Sequence, residues 1–205
     1  MNIKFIMNEL KTENLSCKRG ENAVLNNVNF SIKSGETLVV KGRNGSGKTT
    51  LLRILSNFIT SYEGKVMFND LSIREDSLYN SKFNLIGQKN SLKENLSIKK
   101  NFDLWDILFN EALDHVKLLK HNNLYHLINR DVGSLSDGQK KCISLHRLNY
   151  KKYDLWFLDE PFVYLDEVNT HLLIEKINQF NENMGIVILT SNINLPKNFH
   201  KEINI

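Results

Sequence analysis

The stretch "GRNGSGKTT", Gly42 to Thr50, constrains the fold more than any other part of the chain. It follows "TLVV" (Thr37 to Val40), which has the composition of a short strand buried on both faces. It opens a segment in which Leu51, Leu52, Leu55 and Phe58 recur at helical spacing, so a helix with one apolar face is predicted from Lys48 to Phe58. A strand, a glycine loop and a helix in that order turn Gly-x-x-x-x-Gly-Lys-[Ser/Thr] from a string into a phosphate cradle. Gly42, Gly45 and Gly47 let the loop turn with its amides inward, those of Arg43, Asn44 and Ser46 included, toward α- and β-phosphates at a helix N-terminus. Lys48 reaches β- and γ-phosphates, Thr49 is placed to ligate Mg²⁺, and Thr50 to touch the α-phosphate. The plain alternative is a glycine-rich turn with a solvated lysine, and the flanking strand and helix argue against it.

A second motif says what the cradle is for. "LWFLDEP" (Leu155 to Pro161) delivers Asp159 at the end of a buried strand, where its carboxylate can hold Mg²⁺, with Glu160 directly after it. An adjacent pair supplies one metal anchor and one base, so Glu160 is the candidate to polarise an attacking water. A pair that merely caps the next helix is the competing structural reading. An Asn-Lys-x-Asp guanine reader does not occur.

Around these motifs strands alternate with helices. "VNFSI" (Val28 to Ile32), "KVMF" and "FNLIG" read as strands, and a helix is predicted through Leu173, Ile177 and Phe180. "GIVILTSNINLP" (Gly185 to Pro196) is a further buried strand that turns polar at Thr190, Ser191 and Asn192. Leu92 to Arg130 is mostly helix-forming, with Leu104, Ile107, Leu108, Ala112 and Leu113 spaced on one face, and another helix should follow Ser136. The pattern predicts a single α/β domain over residues 1–205, with an inserted helical subdomain at roughly 92–150.

Composition excludes several classes. The formal charge of +4 is spread over separated lysine doublets, which argues against nucleic acid as a direct partner. Two cysteines, Cys17 and Cys142, are too few for a disulfide framework, and no Cys-x-x-Cys occurs. No window approaches the ~20 apolar residues of a membrane span, and the opening lacks the apolar core of a signal peptide. Richness in Asn, Lys and Ile suggests an AT-biased genome, such as that of a reduced bacterium or an organelle.

"LSDGQ" (Leu135 to Gln139) completes the set, and with it the chain resembles the ATP-binding cassette superfamily, whose signature is Leu-Ser-x-Gly-Gln before the Asp-Glu pair. The resemblance implies a P-loop NTPase fold of the ABC ATPase type, an α/β core sheet with an antiparallel strand layer near the N-terminus, and Mg-ATP as ligand, with Ser136, Gly138 and Gln139 binding the γ-phosphate of ATP held by the opposite subunit of a head-to-tail homodimer. It implies that Gln88 in "LIGQKN" touches Mg²⁺ and water and links the nucleotide to a transmembrane partner. Asp166 in "VYLDE" matches an aspartate that crosses the dimer interface. Arg19 stands where most members stack an aromatic on adenine, and an arginine plane can also stack. Asn192 falls where the family has its switch histidine; Asn can donate one hydrogen bond there but cannot carry a charge.

Within the superfamily the chain is most similar to the haem-exporter branch that serves cytochrome c maturation. That likeness rests on "LSCKRGENAVL", "SLHRL", "LWFLDEPFVYLD" and the end soon after "GIVILTSN". It implies an ATPase that dimerises on ATP, drives transmembrane subunits and lies peripherally on the cytoplasmic or matrix face of an inner membrane. Another exporter (lipid, lipoprotein or metal), a soluble cassette ATPase, and a clamp that binds ATP and hardly hydrolyses it stand as alternatives. His115, His121 and His126 are expected as solvated helix-face residues, and haem is not expected to bind this subunit.

Overall fold

A computed structural model of the chain describes residues 7–151, 153–192, 195 and 201–205. The chain forms two compact units, one of residues 1–85, 153–160 and 175–205, the other of residues 86–152 and 161–174.

The first unit holds two sheets. Strands β1 (Glu9–Arg19) and β2 (Asn22–Lys33) form a long hairpin turning at Gly20, and β4 (Glu63–Phe68) and β5 (Leu71–Ser72) extend it in the order β2-β1-β4-β5. Every pair in this sheet is antiparallel. Inward and outward residues alternate along β1, with Leu10, Thr12, Leu15 and Cys17 buried, as one wet face and one packed face require. The second sheet contains β3 (Thr37–Lys41), β6 (Phe83–Ile86), β7 (Leu155–Leu158), β8 (Ile186–Thr190) and β9 (Lys201–Asn204), in the order β6-β7-β8-β3-β9. The pairs β7·β8, β8·β3 and β3·β9 are parallel. Every residue of β7 and β8 is buried, which explains why these strands read as unbroken apolar runs.

Helix α1 (Lys48–Leu55) leaves the loop after β3 and buries Leu51, Leu52, Ile54 and Leu55 among Leu38, Val40, Phe157 and Ile188. The predicted helix ran to Phe58, but α1 stops at Leu55. Asn57 takes a left-handed φ of 56° just beyond, and Phe58 swings out to 70% exposure. Helix α5 (Glu167–Glu182) carries Phe180, which lies flat on Trp156 at 3.8 Å and 5°.

The second unit is helical. Helix α2 (Ile98–Phe109) is capped by the Ser97 side chain and α3 (His115–His121) by that of Asp114. Helix α4 (Asp137–Leu145) completes a core of Ile98, Phe102, Trp105, Leu119, Leu127, Ile143 and Tyr150. Two expectations fail here. Leu104, Ile107 and Leu108 do not face the core; they are 45%, 78% and 71% exposed. The competing stripe of Ile98, Phe102 and Trp105 carries larger rings and wins the interior, with Trp105 edge-on to Tyr150 at 6.5 Å. Ala112 and Leu113 lie off the helix because Asn110, in a left-handed conformation at φ 50°, ends it. His115 is not solvated either: it stacks on Phe102 at 4.4 Å, and its Nε2 lies 2.9 Å from both oxygens of Asp106, which also accepts from the Tyr150 hydroxyl. His121 and His126 are exposed.

Gly185, at the entry to β8, has no room for a side chain, since a Cβ there would stand 2.3 to 2.6 Å from carbons of the Phe180 ring. The stack on Trp156 keeps that ring from yielding cheaply. Gly185→Ala is therefore expected to destabilise the protein by about 1–3 kcal/mol, read as a drop of ~2–4 °C in Tm per kcal/mol in thermal denaturation followed by circular dichroism.

Candidate nucleotide site

The phosphate loop joins β3 to α1. Gly45 and Gly47 sit at φ 83° and 105°, values that a side-chain-bearing residue adopts only with strain. Gly47 is also the N-cap of α1, and no side chain caps this helix. Its first-turn N–H groups have no intrahelical partner, and no acidic residue occupies that turn. The Ser46 hydroxyl oxygen is buried with no hydrogen-bond partner among the described residues. An uncapped helix start beside an orphaned hydroxyl fits an anion that supplies the missing acceptors.

Lys48 is 6% exposed and folds back over its own loop. Its ammonium donates to the carbonyls of Gly42 at 2.7 Å and Arg43 at 3.2 Å and stands 4.0 Å from a Glu160 carboxylate oxygen. The charge thus points into the cradle and is stabilised by neutral carbonyls and one carboxylate. Phosphate oxygens offer stronger, charge-assisted partners at the same place.

Asp159, one residue beyond β7, is 3% exposed. Its Oδ2 accepts from the Thr49 hydroxyl at 2.8 Å and its Oδ1 from the Thr190 hydroxyl, also at 2.8 Å. A hydroxyl at the helix start facing a buried carboxylate at the strand end is the donor set Mg²⁺ takes beside a nucleotide, one or two protein oxygens with phosphates and water for the rest. Among the described residues no group of three or more His, Cys, Asp and Glu could hold a metal ion. Glu160 follows with φ at 47°, its amide donating to the Thr190 hydroxyl at 2.8 Å.

Asn192, just past the end of β8, is exposed, and its side-chain amide donates to the Asn44 side chain of the phosphate loop at 3.4 Å. The first unit therefore brings Gly42 to Thr50, Asp159, Glu160 and Asn192 together. Thr50 is half-buried in the first turn of α1, and Arg19 is exposed at the end of β1, opposite Asn22. Sequence reasoning missed Thr190 as a site residue. The signal was there, a polar side chain ending an apolar strand, but the neighbouring Asn192 took the assignment.

The remaining candidates lie in the second unit. Ser136 caps α4 through a reciprocal box: its hydroxyl accepts from the Gln139 amide at 3.3 Å, and the Gln139 side chain accepts from the Ser136 amide at 3.0 Å. Gly138 has no room for a side chain, because a Cβ would stand 2.6 Å from the Tyr164 carbonyl oxygen. Asp166 accepts from the Asn169 amide at 2.8 Å at the start of α5. Gln88 is exposed, two residues past β6. Neither thiol joins this chemistry: Cys17 and Cys142 are free and buried, and burial pushes the Cys142 thiol up to about 11.

A parallel sheet with a phosphate loop at the end of one strand and an acidic pair at the end of another defines a P-loop NTPase. The chain belongs to the ABC transporter family, which matches residues 25–163. It is 37% identical to the cytochrome c biogenesis ATP-binding export protein CcmA of Legionella pneumophila (strain Lens), over 85% of this chain and 88% of the relative. It is 34% identical to the protein of the same name from Histophilus somni (strain 129Pt), over 97% and 93%. A dimeric ATP-binding cassette solved in a post-hydrolysis state, bound to ADP and Pi, shares the fold with a TM-score of 0.74 and 24% identity over 90% of this chain and 88% of that one.

Replacing Lys48 by alanine removes a buried cation from the cradle while leaving the apolar face of α1 intact. Lys48→Ala is expected to lower affinity for a fluorescent ATP analogue by about tenfold or more, with an unchanged far-ultraviolet circular dichroism spectrum. Equal affinity would remove Lys48 from the site.

Proposed function

We propose that this chain is the ATP-binding and ATP-hydrolysing subunit of an ABC exporter that serves c-type cytochrome biogenesis, with haem as the cargo of its transmembrane partners. The observation that carries the hydrolytic part is that two adjacent residues of the α1 start meet the acidic pair, Thr49 hydrogen-bonded to Asp159 at 2.8 Å and Lys48 standing 4.0 Å from Glu160. The transport part is supported by relatives at 34–37% identity named as cytochrome c biogenesis export proteins.

In this reading the loop amides and Lys48 bind the phosphates and orient the γ-phosphoryl group, and Arg19 packs on the base. Thr49 and Asp159 are the residues that would hold Mg²⁺, whose contribution when bound is to neutralise charge on the β- and γ-phosphates. Lys48 exchanges its loop carbonyls and Glu160 for phosphate oxygens. That exchange releases the Glu160 carboxylate to accept a proton from water. Asn192 donates a hydrogen bond to the γ-phosphate or to the attacking water, directly or through a bridging water.

Ser136, Gly138 and Gln139 act on the nucleotide of a second copy, and Asp166 lies at the interface between copies. The dimeric state of the solved cassette at 24% identity supports the arrangement by fold alone. No helix among the described residues is long and apolar enough to cross a membrane, so the subunit would reach the inner membrane through its partners. Haem has no role at this subunit in the reading, and nucleic acid none.

Glu160→Gln keeps the side-chain shape and loses the base. Turnover should fall by at least ~10², and the variant should elute as a dimer from size-exclusion chromatography with Mg-ATP. A persistent monomer would remove the head-to-tail arrangement.

Asn192 is exposed, and among the described residues its side chain meets Asn44 at 3.4 Å, so it can be exchanged without disturbing packing. Asn192→His should raise basal ATPase several-fold, on the order of the ~1 kcal/mol of one better-placed charge-assisted hydrogen bond. An unchanged or lower rate with intact ATP affinity would show that the site has adapted to Asn.

A further inference from the structure

The hydroxyl of Thr190 sits where three strand ends meet. In the sheet Val40 of β3 pairs with Thr190, and Leu158 of β7 with Leu189, so Asp159 and Thr190 leave the ladder side by side. Thr190 is fully buried. Its oxygen accepts from the Glu160 amide at 2.8 Å and its proton goes to Asp159 Oδ1 at 2.8 Å. A hydroxyl has one proton to give, and spending it on Asp159 turns a lone pair to Glu160, so the two bonds fix each other's direction.

Glu160 needs such an anchor. Its φ of 47° lies in the left-handed region that a residue with a side chain rarely occupies. Left-handed backbone at that point turns the Glu160 carboxylate toward the cradle, 4.0 Å from the Lys48 ammonium. The neighbouring carboxylate is ordered by the same hydroxyl: with Oδ1 held by Thr190, Asp159 presents Oδ2 to Thr49.

We propose that Thr190 is a positioning residue for hydrolysis, whose single hydroxyl locks the turned backbone of Glu160 and selects the Asp159 oxygen that faces Thr49. The proposal rests on the reading of Glu160 as the base. It assigns Thr190 no contact with nucleotide, so its loss acts on turnover and spares binding.

The test uses the full-length wild type, Thr190→Val, which keeps the shape without the hydroxyl, and Thr190→Ser, which keeps the hydroxyl. Each is measured for kcat and KM with Mg-ATP, for the Kd of a fluorescent ATP analogue, and for hydrogen exchange at the Glu160 amide in protein labelled with ¹⁵N-glutamate. The valine variant should lose about tenfold or more in kcat with Kd and KM within about twofold, and its Glu160 amide should exchange faster. Serine should restore kcat to within about threefold of wild type. A valine variant with wild-type kcat and wild-type protection, or one whose Kd weakens in step with kcat, overturns the proposal. Should Thr190→Val not fold, the wild-type protein still decides, since a Glu160 amide that exchanges at the rate of an open loop excludes the lock. Wild-type protein that binds ATP without hydrolysing it would instead overturn Glu160 as base, whereas normal wild-type hydrolysis left unchanged by Thr190→Val overturns Thr190 alone.

Discussion

The buried carboxylate of Asp159 organises the first unit. A carboxylate at 3% exposure is costly unless its oxygens are hydrogen-bonded, and here the two partners come from different elements, Thr49 from the start of α1 and Thr190 from the end of β8. Satisfying both ties the ends of β7 and β8 to the first turn of α1. The strand order makes this possible: β8 lies between β7 and β3, so the acidic pair, the threonine and the phosphate loop all emerge at the carboxyl edge of one parallel sheet.

Above that anchor the site is polar, and below it the sheet is dry. Phe157, Ile186 and Ile188 join Leu38, Val40 and the apolar face of α1 in one core, while the polar residues gather where the strands end. Packing rigidifies the strands, and their ends inherit that rigidity. Left-handed backbone at Glu160 persists because the hydrogen bond to Thr190 holds it in place.

The second unit is stabilised by different means. Ser97, Asp114 and Ser136 cap α2, α3 and α4, and the rings of Phe102, His115, Trp105 and Tyr150 fill its centre. The Asp106 carboxylate meets the Tyr150 hydroxyl and the His115 ring, so a buried polar cluster sits inside an aromatic core. The signature residues Ser136 and Gln139 bind each other across the start of α4. Their local structure is therefore built before any ligand meets them.

Much of this was legible in the chain. The α/β fold followed from alternating strands and helices, the phosphate loop from glycine spacing next to a buried run, and the acidic pair from four apolar residues before Asp159. These are local matters, decided by backbone freedom and by which residues tolerate burial. Tertiary structure decided what local pattern leaves degenerate. Helix α2 carries two apolar stripes, and only packing against Tyr150 and Leu119 selected Ile98, Phe102 and Trp105 over Leu104, Ile107 and Leu108. His115 looked solvated until Phe102 and Asp106 met it. The role of Thr190 depends on β8 lying between β7 and β3, an order that no spacing within the strand reveals, because strand neighbours are set by long-range pairing and not by sequence distance.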